Sequence, residues 1–227
     1  MRPVHEVLLV RHGEAFCNVR GLIAGASCQG LTPVGRHQAD QVARRLLVEH
    51  SAGDPIAALH TSPVRRAVQT ARAVTALTGV EPVLQHDLRI PDPGPADGQP
   101  WDIVRRQLDA DPDRPSRPLV PGGERWRDYL ARAQDRLAEI LNHHPGGRVV
   151  VIGHSETLTA MFTWLINTSQ LGALRLDLHH TGITRLIASQ ELPDVQVEQQ
   201  RWLLCTHNDT AHLDHRFGTT RRGATSG

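Results

Sequence analysis

Three short stretches of the sequence end in side chains that could bind or transfer an anionic group. Arg11-His12 follows the apolar run "VLLV", Ser62 to Arg66 follows "PIAALHT", and Gly153 to Glu156 follows "VVVI". Histidine can act as a nucleophile or a base near neutral pH, and arginine presents a fork of donors that suits phosphate. Guanidiniums and imidazoles that converge on one crevice would repel one another unless an anion lay between them. These residue types therefore indicate a phosphate site.

The elements that must position these side chains alternate between strands and helices. The apolar runs at Val7–Val10 and Arg148–Ile152 are typical of buried parallel strands. Thr32 and Pro33 predict the start of a helix, and Ser62-Pro63 predict a second start in the same way. The later runs "LRLDLHH", "ITRLIAS" and "RWLLCTH" alternate between apolar and polar residues, which is typical of strands. The pattern predicts a three-layer α/β/α sandwich with a mainly parallel, mixed sheet, in which ligands bind at the carboxyl ends of the strands.

The domain organisation follows from a change in composition. Eight prolines interrupt the segment 91–121, which we expect to be a lid-like excursion with a short helix from Trp101 to Asp111. Regular periodicity resumes afterwards, so we expect a single domain over residues 1–215. The polar residues 216–227 are expected to form a disordered tail.

The composition excludes several classes of partner. The chain has 227 residues with 25 basic and 24 acidic side chains, so it carries no global field for nucleic acid or anionic membranes. All of the basic residues are arginine, which removes lysine-based chemistry. The three cysteines do not suggest a disulfide framework, and from the residue pattern we expect neither a signal peptide nor a membrane span. We expect a cytoplasmic protein, and the sequence leaves a homodimer open.

Six segments together resemble the histidine phosphatase superfamily, the phosphoglycerate-mutase-like proteins, and within it the broad-specificity phosphatase branch. They are "LLVRHGEAFCN", "GLTPVGRHQA", "TSPVRRAVQTA", "PGGERW", "VVVIGHSE" and "NDTAHL", in the family's order over nearly the whole chain. The resemblance implies a metal-independent phosphomonoesterase of the histidine acid phosphatase type. Such an enzyme would need no cofactor and would act on a small phosphorylated substrate.

The resemblance also implies a role for each residue of the site. His12 would be the nucleophile that takes up the phosphoryl group. Arg11, Arg66 and His154 would hold its oxygens, and Asn18 would add a side-chain donor. A neutral imidazole can attack without a separate base if its far nitrogen is held as N–H by an acceptor. Arg65 is expected to face solvent, about 100° round the helix from Arg66.

The chain departs from the family at the general acid. The family places a glutamate after the third strand, but Ile90 occupies that position here and cannot move a proton. Glu156 is the first candidate to replace it, because residues two apart on an extended chain share a face with His154. Asp92 and Asp97 are further candidates, and the alternative for Glu156 is a place in the first turn of a helix.

Other interpretations of the same residues stay open. The stretch at Ser155 approaches the nucleophile elbow of α/β-hydrolases, although that would leave "RHGE" without a role. The fourteen histidines do not reproduce the spacing of zinc ligands, but His179 or His180 could rim the pocket. A phosphoglycerate-mutase-like transferase and a catalytically weak relative that only binds a phosphorylated ligand are the alternatives to a phosphatase.

Overall fold

The computed structural model describes residues 5–107, 118, 120–167, 176–188 and 201–213. The helices and strands follow along the chain as β1 (Glu6–Arg11), α1 (Phe16–Arg20), α2 (Pro33–Ser51), β2 (Ile56–Thr61), α3 (Arg65–Thr78), β3 (Pro82–Leu84), α4 (Trp101–Gln107), α5 (Trp126–His143), β4 (Arg148–Gly153), α6 (Ser155–Leu165), β5 (Ile183–Ala188) and β6 (Trp202–Asp209). Short 3₁₀ turns lie at His86–Leu88 and Gly94–Ala96.

One six-stranded sheet has the order β3-β2-β4-β1-β5-β6. The pairs that join β3, β2, β4 and β1 are parallel, and β5 and β6 add two antiparallel pairs. In this register Arg11 lies opposite Gly153, and Thr61 lies opposite Ile152. The carboxyl ends of β1, β2 and β4 therefore meet at one edge, as the apolar runs predict.

Helices cover both faces of the sheet because the side chains of its central strands alternate. On one face, Val7, Leu9, Val149 and Val151 pack with Leu137, Leu141, Leu158 and Met161 of α5 and α6. On the other face, Leu8, Val10, Val150 and Ile152 pack with Val42, Leu46, Ala67 and Ala71 of α2 and α3. The predicted three-layer sandwich with a mixed, mainly parallel sheet is confirmed.

The starts of the helices agree with the sequence in one case and differ in another. Thr32 caps α2 by accepting a hydrogen bond from the amide of Gly35 at 2.9 Å, and Pro33 is its first residue. The Ser62-Pro63 prediction is wrong by two residues, because α3 begins at Arg65 with Val64 as its N-cap residue. The Ser62 hydroxyl accepts from the Val64 amide and is also bonded to a histidine of the site, so it does not cap the helix.

The predicted strand "LRLDLHH" is wrong for its described part. Residues 176–180 form no strand; residues 174 and 175 lie outside the described part of the chain. The chain turns here because Thr181 adopts a left-handed conformation with φ 60° and donates its amide to the carbonyl of Arg11. The Leu178 carbonyl accepts a hydrogen bond from the Arg11 guanidinium and not from the backbone of a neighbouring strand.

Residues 91–107 of the proline-rich excursion pack against the loop of residues 21–27. The Ile23 amide donates to the carbonyl of Gln99, and the Gly98 amide donates back to Ile23. α4 begins at Trp101 as predicted, whereas its predicted end at Asp111 and the tail 216–227 lie outside the described residues. That the excursion acts as a lid stays a prediction.

No helix within the described residues is both long enough and apolar enough to cross a membrane.

Candidate active site

The three chain segments that carry the predicted site residues meet just beyond the sheet. The amide of His12 donates to the carbonyl of Gly153, and the amide of Ser62 donates to the carbonyl of Ile152. The parallel hydrogen-bonding pattern thus continues one residue past each strand. It holds His12, Ser62 and His154 at the same edge.

His12 is buried and its two ring nitrogens have different partners. Nδ1 lies 2.7 Å from the carbonyl oxygen of Gly13, which can only accept, so Nδ1 carries the proton. Nε2 then keeps its lone pair and accepts from Nε of Arg66 at 2.9 Å. Burial, followed by the charges of Arg66, His154, Arg11 and His180, holds the pKa of His12 well below its usual range. Both observations favour a neutral ring whose unprotonated nitrogen faces the arginine.

Arg66 lies in the first turn of α3 and is 5% exposed. Besides His12, its guanidinium donates to the carbonyl of Ala24 at 2.7 Å and to Nδ1 of His154 at 3.0 Å. All three partners are formally neutral acceptors. The neighbouring Arg65 is exposed, as predicted.

His154 completes the pair of imidazoles. Because its Nδ1 accepts from Arg66, its Nε2 carries the proton and donates to the hydroxyl of Ser62 at 2.8 Å. Its ring centroid lies 5.2 Å from that of His12. Burial, with the charges of Arg66 and Arg11, holds the pKa of His154 well below its usual range. Ser62, which the sequence marked only as a cap, fixes the orientation of this ring.

Arg11 gives the site a second buried guanidinium. One of its terminal nitrogens donates to the carbonyl of Leu178, and its Nε is buried without a partner among the described residues. Burial is the largest influence on its pKa and lowers it, while the charge of Glu156 opposes that shift from a distance. Within the described chain, neither Arg11 nor Arg66 has a carboxylate at ion-pair distance. The site therefore has positive charge that an anion would complement.

Two cysteines lie next to this charge. Cys17 and Cys28 are buried in one small cluster. The hydrogen bond from Cys17, together with the charge and a hydrogen bond of Arg66, lowers the pKa of Cys28 to about 5 although burial opposes the shift. The positive charge of Arg66 therefore favours the thiolate form of Cys28. Spacing in the sequence gave no signal for this contact.

The side-chain oxygen of Asn18 is bonded within the loop that follows His12. It accepts from the amide of Ala15 at 2.9 Å, at the start of α1. Asn18 therefore helps to shape the loop after His12. Its predicted contact with phosphate stays a prediction.

The three candidate acids differ in their surroundings. α6 begins at Ser155, so Glu156 lies in the first turn of a helix and is exposed. The expectation that it shares an extended face with His154 is wrong. Asp92 is also exposed and accepts from the amide of Gly94. Burial tends to raise the pKa of Asp97, but hydrogen bonds from Ser27 and backbone amides lower it, as they stabilise the ionised form.

Arg132 of α5 fixes the backbone of the segment 87–92, which contains Ile90. Arg132 donates to both carboxylate oxygens of Glu124, at 2.6 and 2.7 Å, and to the carbonyls of Asp87, Arg89 and Ile90. Glu124 in turn accepts from the amide of Asp92 at 3.0 Å. Glu124 of the motif "PGGERW" is therefore the acidic partner in the ion pair that fixes the segment 87–92.

The described residues contain no group of three or more histidine, cysteine, aspartate or glutamate side chains that could hold a metal ion. His180, named above as a candidate for the rim, lies close to His12 with 5.7 Å between the ring centroids.

Comparison with known proteins agrees with this geometry. The family model of the histidine phosphatase superfamily (branch 1) matches residues 7–201. The metal-independent phosphoserine phosphatase of Arabidopsis thaliana is 30% identical over 229 residues, which cover 97% of this chain and 87% of that protein. A protein of Cronobacter sakazakii named "Probable phosphoglycerate mutase GpmB" is 29% identical over 217 residues, covering 92% of this chain and 95% of that one.

Two solved structures show the same fold. A mycobacterial glucosyl-3-phosphoglycerate phosphatase superposes with a TM-score of 0.73 at 22% identity, over 92% of this chain and 99% of the other. YhfR of Bacillus stearothermophilus gives a TM-score of 0.74 at 24% identity, over 92% and 98%.

Proposed function

The chain belongs to the histidine phosphatase superfamily, and we propose that it hydrolyses a phosphomonoester of a small metabolite through a phosphohistidine on His12. The observation that carries the proposal is the orientation of His12, with Nδ1 bonded to Gly13 and Nε2 facing Arg66. The lone pair of Nε2 meets an N–H of Arg66, so a phosphoryl group that takes over the arginine donors would leave this nitrogen free to attack phosphorus.

The first half-reaction begins when the phosphoryl group enters between His12 and the arginines. Arg66 and Arg11 donate to its oxygens, and Nε2 of His12 attacks phosphorus from the side opposite the leaving oxygen. The P–N bond forms as the P–O bond breaks, and the electron pair leaves with the alcohol oxygen. The proton on Nδ1 stays on its bond to Gly13, so no separate base is needed. In the second half-reaction water attacks phosphorus and gives a proton to the carboxylate that protonated the leaving oxygen, the electron pair of the P–N bond returns to Nε2, and both His12 and the acid are restored.

The leaving oxygen needs a proton, and Glu156 remains our first candidate to supply it. Its carboxylate is near enough to Arg11 to act on that residue's pKa, and its exposed position would let it meet a leaving group at the mouth of the pocket. Asp92 is the second candidate. Asp97 is the weakest, because its oxygens already accept from Gly25 and Ser27.

The acid assignment is tested with Glu156→Gln on two esters. If Glu156 protonates the leaving oxygen, the variant slows an alkyl phosphate by about 10²-fold or more and leaves p-nitrophenyl phosphate nearly unchanged. Asp92→Asn is the matched comparison. Equal slowing of both esters, or of neither, would remove Glu156 from the mechanism.

The reaction itself is tested by trapping the intermediate. Wild-type protein, His12→Ala and His143→Ala are mixed with ³²P-labelled substrate and quenched in base, where phosphohistidine survives. His143 is an exposed histidine at the end of α5, so it controls for a general loss of imidazole. We expect label on the wild type and on His143→Ala only. Hydrolysis that persists in His12→Ala would refute the proposal, and binding without hydrolysis by the wild type would favour the ligand-binding alternative.

Because some relatives are named as mutases, the alternative reaction is the transfer of the phosphoryl group to a second substrate. A mutase passes the phosphoryl group to an acceptor hydroxyl, whereas a phosphatase passes it to water. Measuring how the phosphoenzyme partitions between water and added 3-phosphoglycerate distinguishes the two. A screen of phosphorylated amino acids, sugars, nucleotides and glycolytic acids, with phosphoserine first because of the Arabidopsis thaliana relative, would identify the substrate.

We further propose that residues 1–215 form one domain and that the protein acts in the cytoplasm. Free thiols at Cys17, Cys28 and Cys205 are compatible with a reducing compartment. A homodimer stays open, and light scattering of the purified protein would decide it.

A further inference from the structure

His180 has a place beside the nucleophile but no role in the reaction described above. Its ring is tilted by 41° relative to that of His12, with 5.7 Å between their centroids. Its Nε2 is buried and has no hydrogen-bond partner within the described residues, and the same holds for Nε of Arg11. Buried polar atoms are nearly always paired, so two unpaired atoms around one nucleophile call for an explanation.

The turn that carries His180 is fixed from both sides. On one side, the amide of Thr181 donates to the carbonyl of Arg11 at 2.9 Å. On the other, Asn208 accepts from the amide of His179 at 2.8 Å. A side chain at Gly182 would stand 2.1 Å from the same Asn208 oxygen, so only glycine allows this close approach. His180 is therefore held in position before any ligand arrives, which is what an electrostatic contribution to catalysis needs.

The charge state of His180 suits a hydrogen-bond donor. Burial is the largest cause that lowers its pKa to about 3, and the charges of Arg11, His179 and Arg66 act in the same direction. The imidazole is therefore neutral at neutral pH and carries one proton. A phosphoryl group offers only acceptors, so a proton on Nε2 would find a partner there.

We propose that His180 is a further phosphoryl-binding residue, whose Nε2–H donates to a non-bridging oxygen next to the donor Nε of Arg11. This inference rests on the proposed function, because it assumes that His12 receives the phosphoryl group. His180 then satisfies its own buried nitrogen only when the ligand is present. Because charge on these oxygens is redistributed in the transition state, the contact contributes to the rate as well as to binding.

The experiment compares His180→Ala and His180→Asn with His179→Ala. His179 is the adjacent imidazole, and its Nε2 lies 3.4 Å from the exposed carboxylate of Asp177, so its loss controls for any change in this turn. The measurements are kcat/KM for p-nitrophenyl phosphate and the inhibition constants of orthovanadate and inorganic phosphate. We expect His180→Ala to lower kcat/KM and vanadate affinity about 10- to 100-fold, since one oxyanion donor is lost. The asparagine variant, which keeps an N–H donor, should recover part of both, and His179→Ala should stay within about two-fold of the wild type.

A second measurement does not depend on a folded variant. Wild-type protein labelled with ¹⁵N-histidine is titrated with inorganic phosphate, and the Nε2–H resonance of His180 should shift as the hydrogen bond forms. An unchanged resonance at saturating phosphate, or wild-type vanadate affinity in folded His180→Ala, would overturn the inference. These outcomes are distinct from a failure of the proposed function, in which the wild type would bind phosphate but hydrolyse no ester.

Discussion

Replacing Arg132 with alanine should destabilise the protein and loosen the segment 87–92. The side chains of Arg132 and Glu124 are only 15% and 18% exposed, and two short hydrogen bonds join them. The same guanidinium also donates to the carbonyls of Asp87, Arg89 and Ile90. Alanine would leave a mostly buried carboxylate and these carbonyls without their donor.

Breaking a buried pair by removing one partner typically costs about 3–5 kcal/mol. Because both side chains retain some contact with solvent, we take the lower end, about 3 kcal/mol. In a chain of 227 residues, each kcal/mol lowers Tm by about 2–4 °C. We therefore expect Tm to fall by about 6–12 °C. Arg132→Lys keeps the charge but loses the planar fork, so its loss should be intermediate.

Urea denaturation with Arg127→Ala as the control would measure this cost. Arg127 lies on the same helix and pairs with Asp128, but both side chains are more than half exposed. Its removal should therefore change the free energy of unfolding by less than about 0.5 kcal/mol. If Arg132→Ala lowers the free energy of unfolding by less than about 1 kcal/mol, or by no more than the control does, the reasoning that this buried pair stabilises the fold is refuted.

Three further outcomes follow from single contacts. Arg66→Lys should lower kcat/KM by about 10²- to 10³-fold because it removes the forked donor beside the nucleophile, whereas the exposed Arg65→Lys should leave steady-state kinetics unchanged. Gly35→Ala should reduce both Tm and activity, since its Cβ would stand 1.9 Å from the carbonyl oxygen of Glu14 in the loop after His12. Chiefly through burial, the pKa of His60 is lowered to about 4, so the unfolded chain takes up a proton below about pH 6.5 that the folded state does not. The free energy of unfolding of the wild type should therefore fall from about pH 6.5 towards pH 4. Urea denaturation at several pH values should show a less steep fall for His60→Gln.

The edge of the sheet that holds the site could be predicted because parallel strands carry a simple signal. Apolar runs before His12 and His154 mark buried strands, and parallel neighbours end at the same edge. The register of β1 with β4 then brings the two histidines together without further information. Thr32 and Pro33 were equally informative, since a cap and a proline describe the local backbone at the start of α2.

Glu156 shows where the sequence stops being informative. Serine and glutamate after a strand suit both an extended segment and the first turn of a helix, and local propensity does not separate the two. The backbone is extended at His154, with φ −111° and ψ 157°, and helical from Ser155. Because α6 begins at Ser155, Glu156 lies in its first turn and its side chain is exposed. His180 was equally hard to place, because its position depends on a left-handed residue, Thr181, that is not a glycine.

The arginines beside His12 have two opposite effects on its chemistry. After burial, which is the largest cause, their charges lower the pKa of His12 and so favour the neutral imidazole. A lower pKa also means a less basic and hence weaker nucleophile. A bound phosphoryl dianion would offset the charges of Arg11 and Arg66 and so return basicity to Nε2. If His12 receives the phosphoryl group, as we propose, its Nε2 is most basic when a phosphoester is bound, and the positive charge of Arg11 and Arg66 contributes to that change.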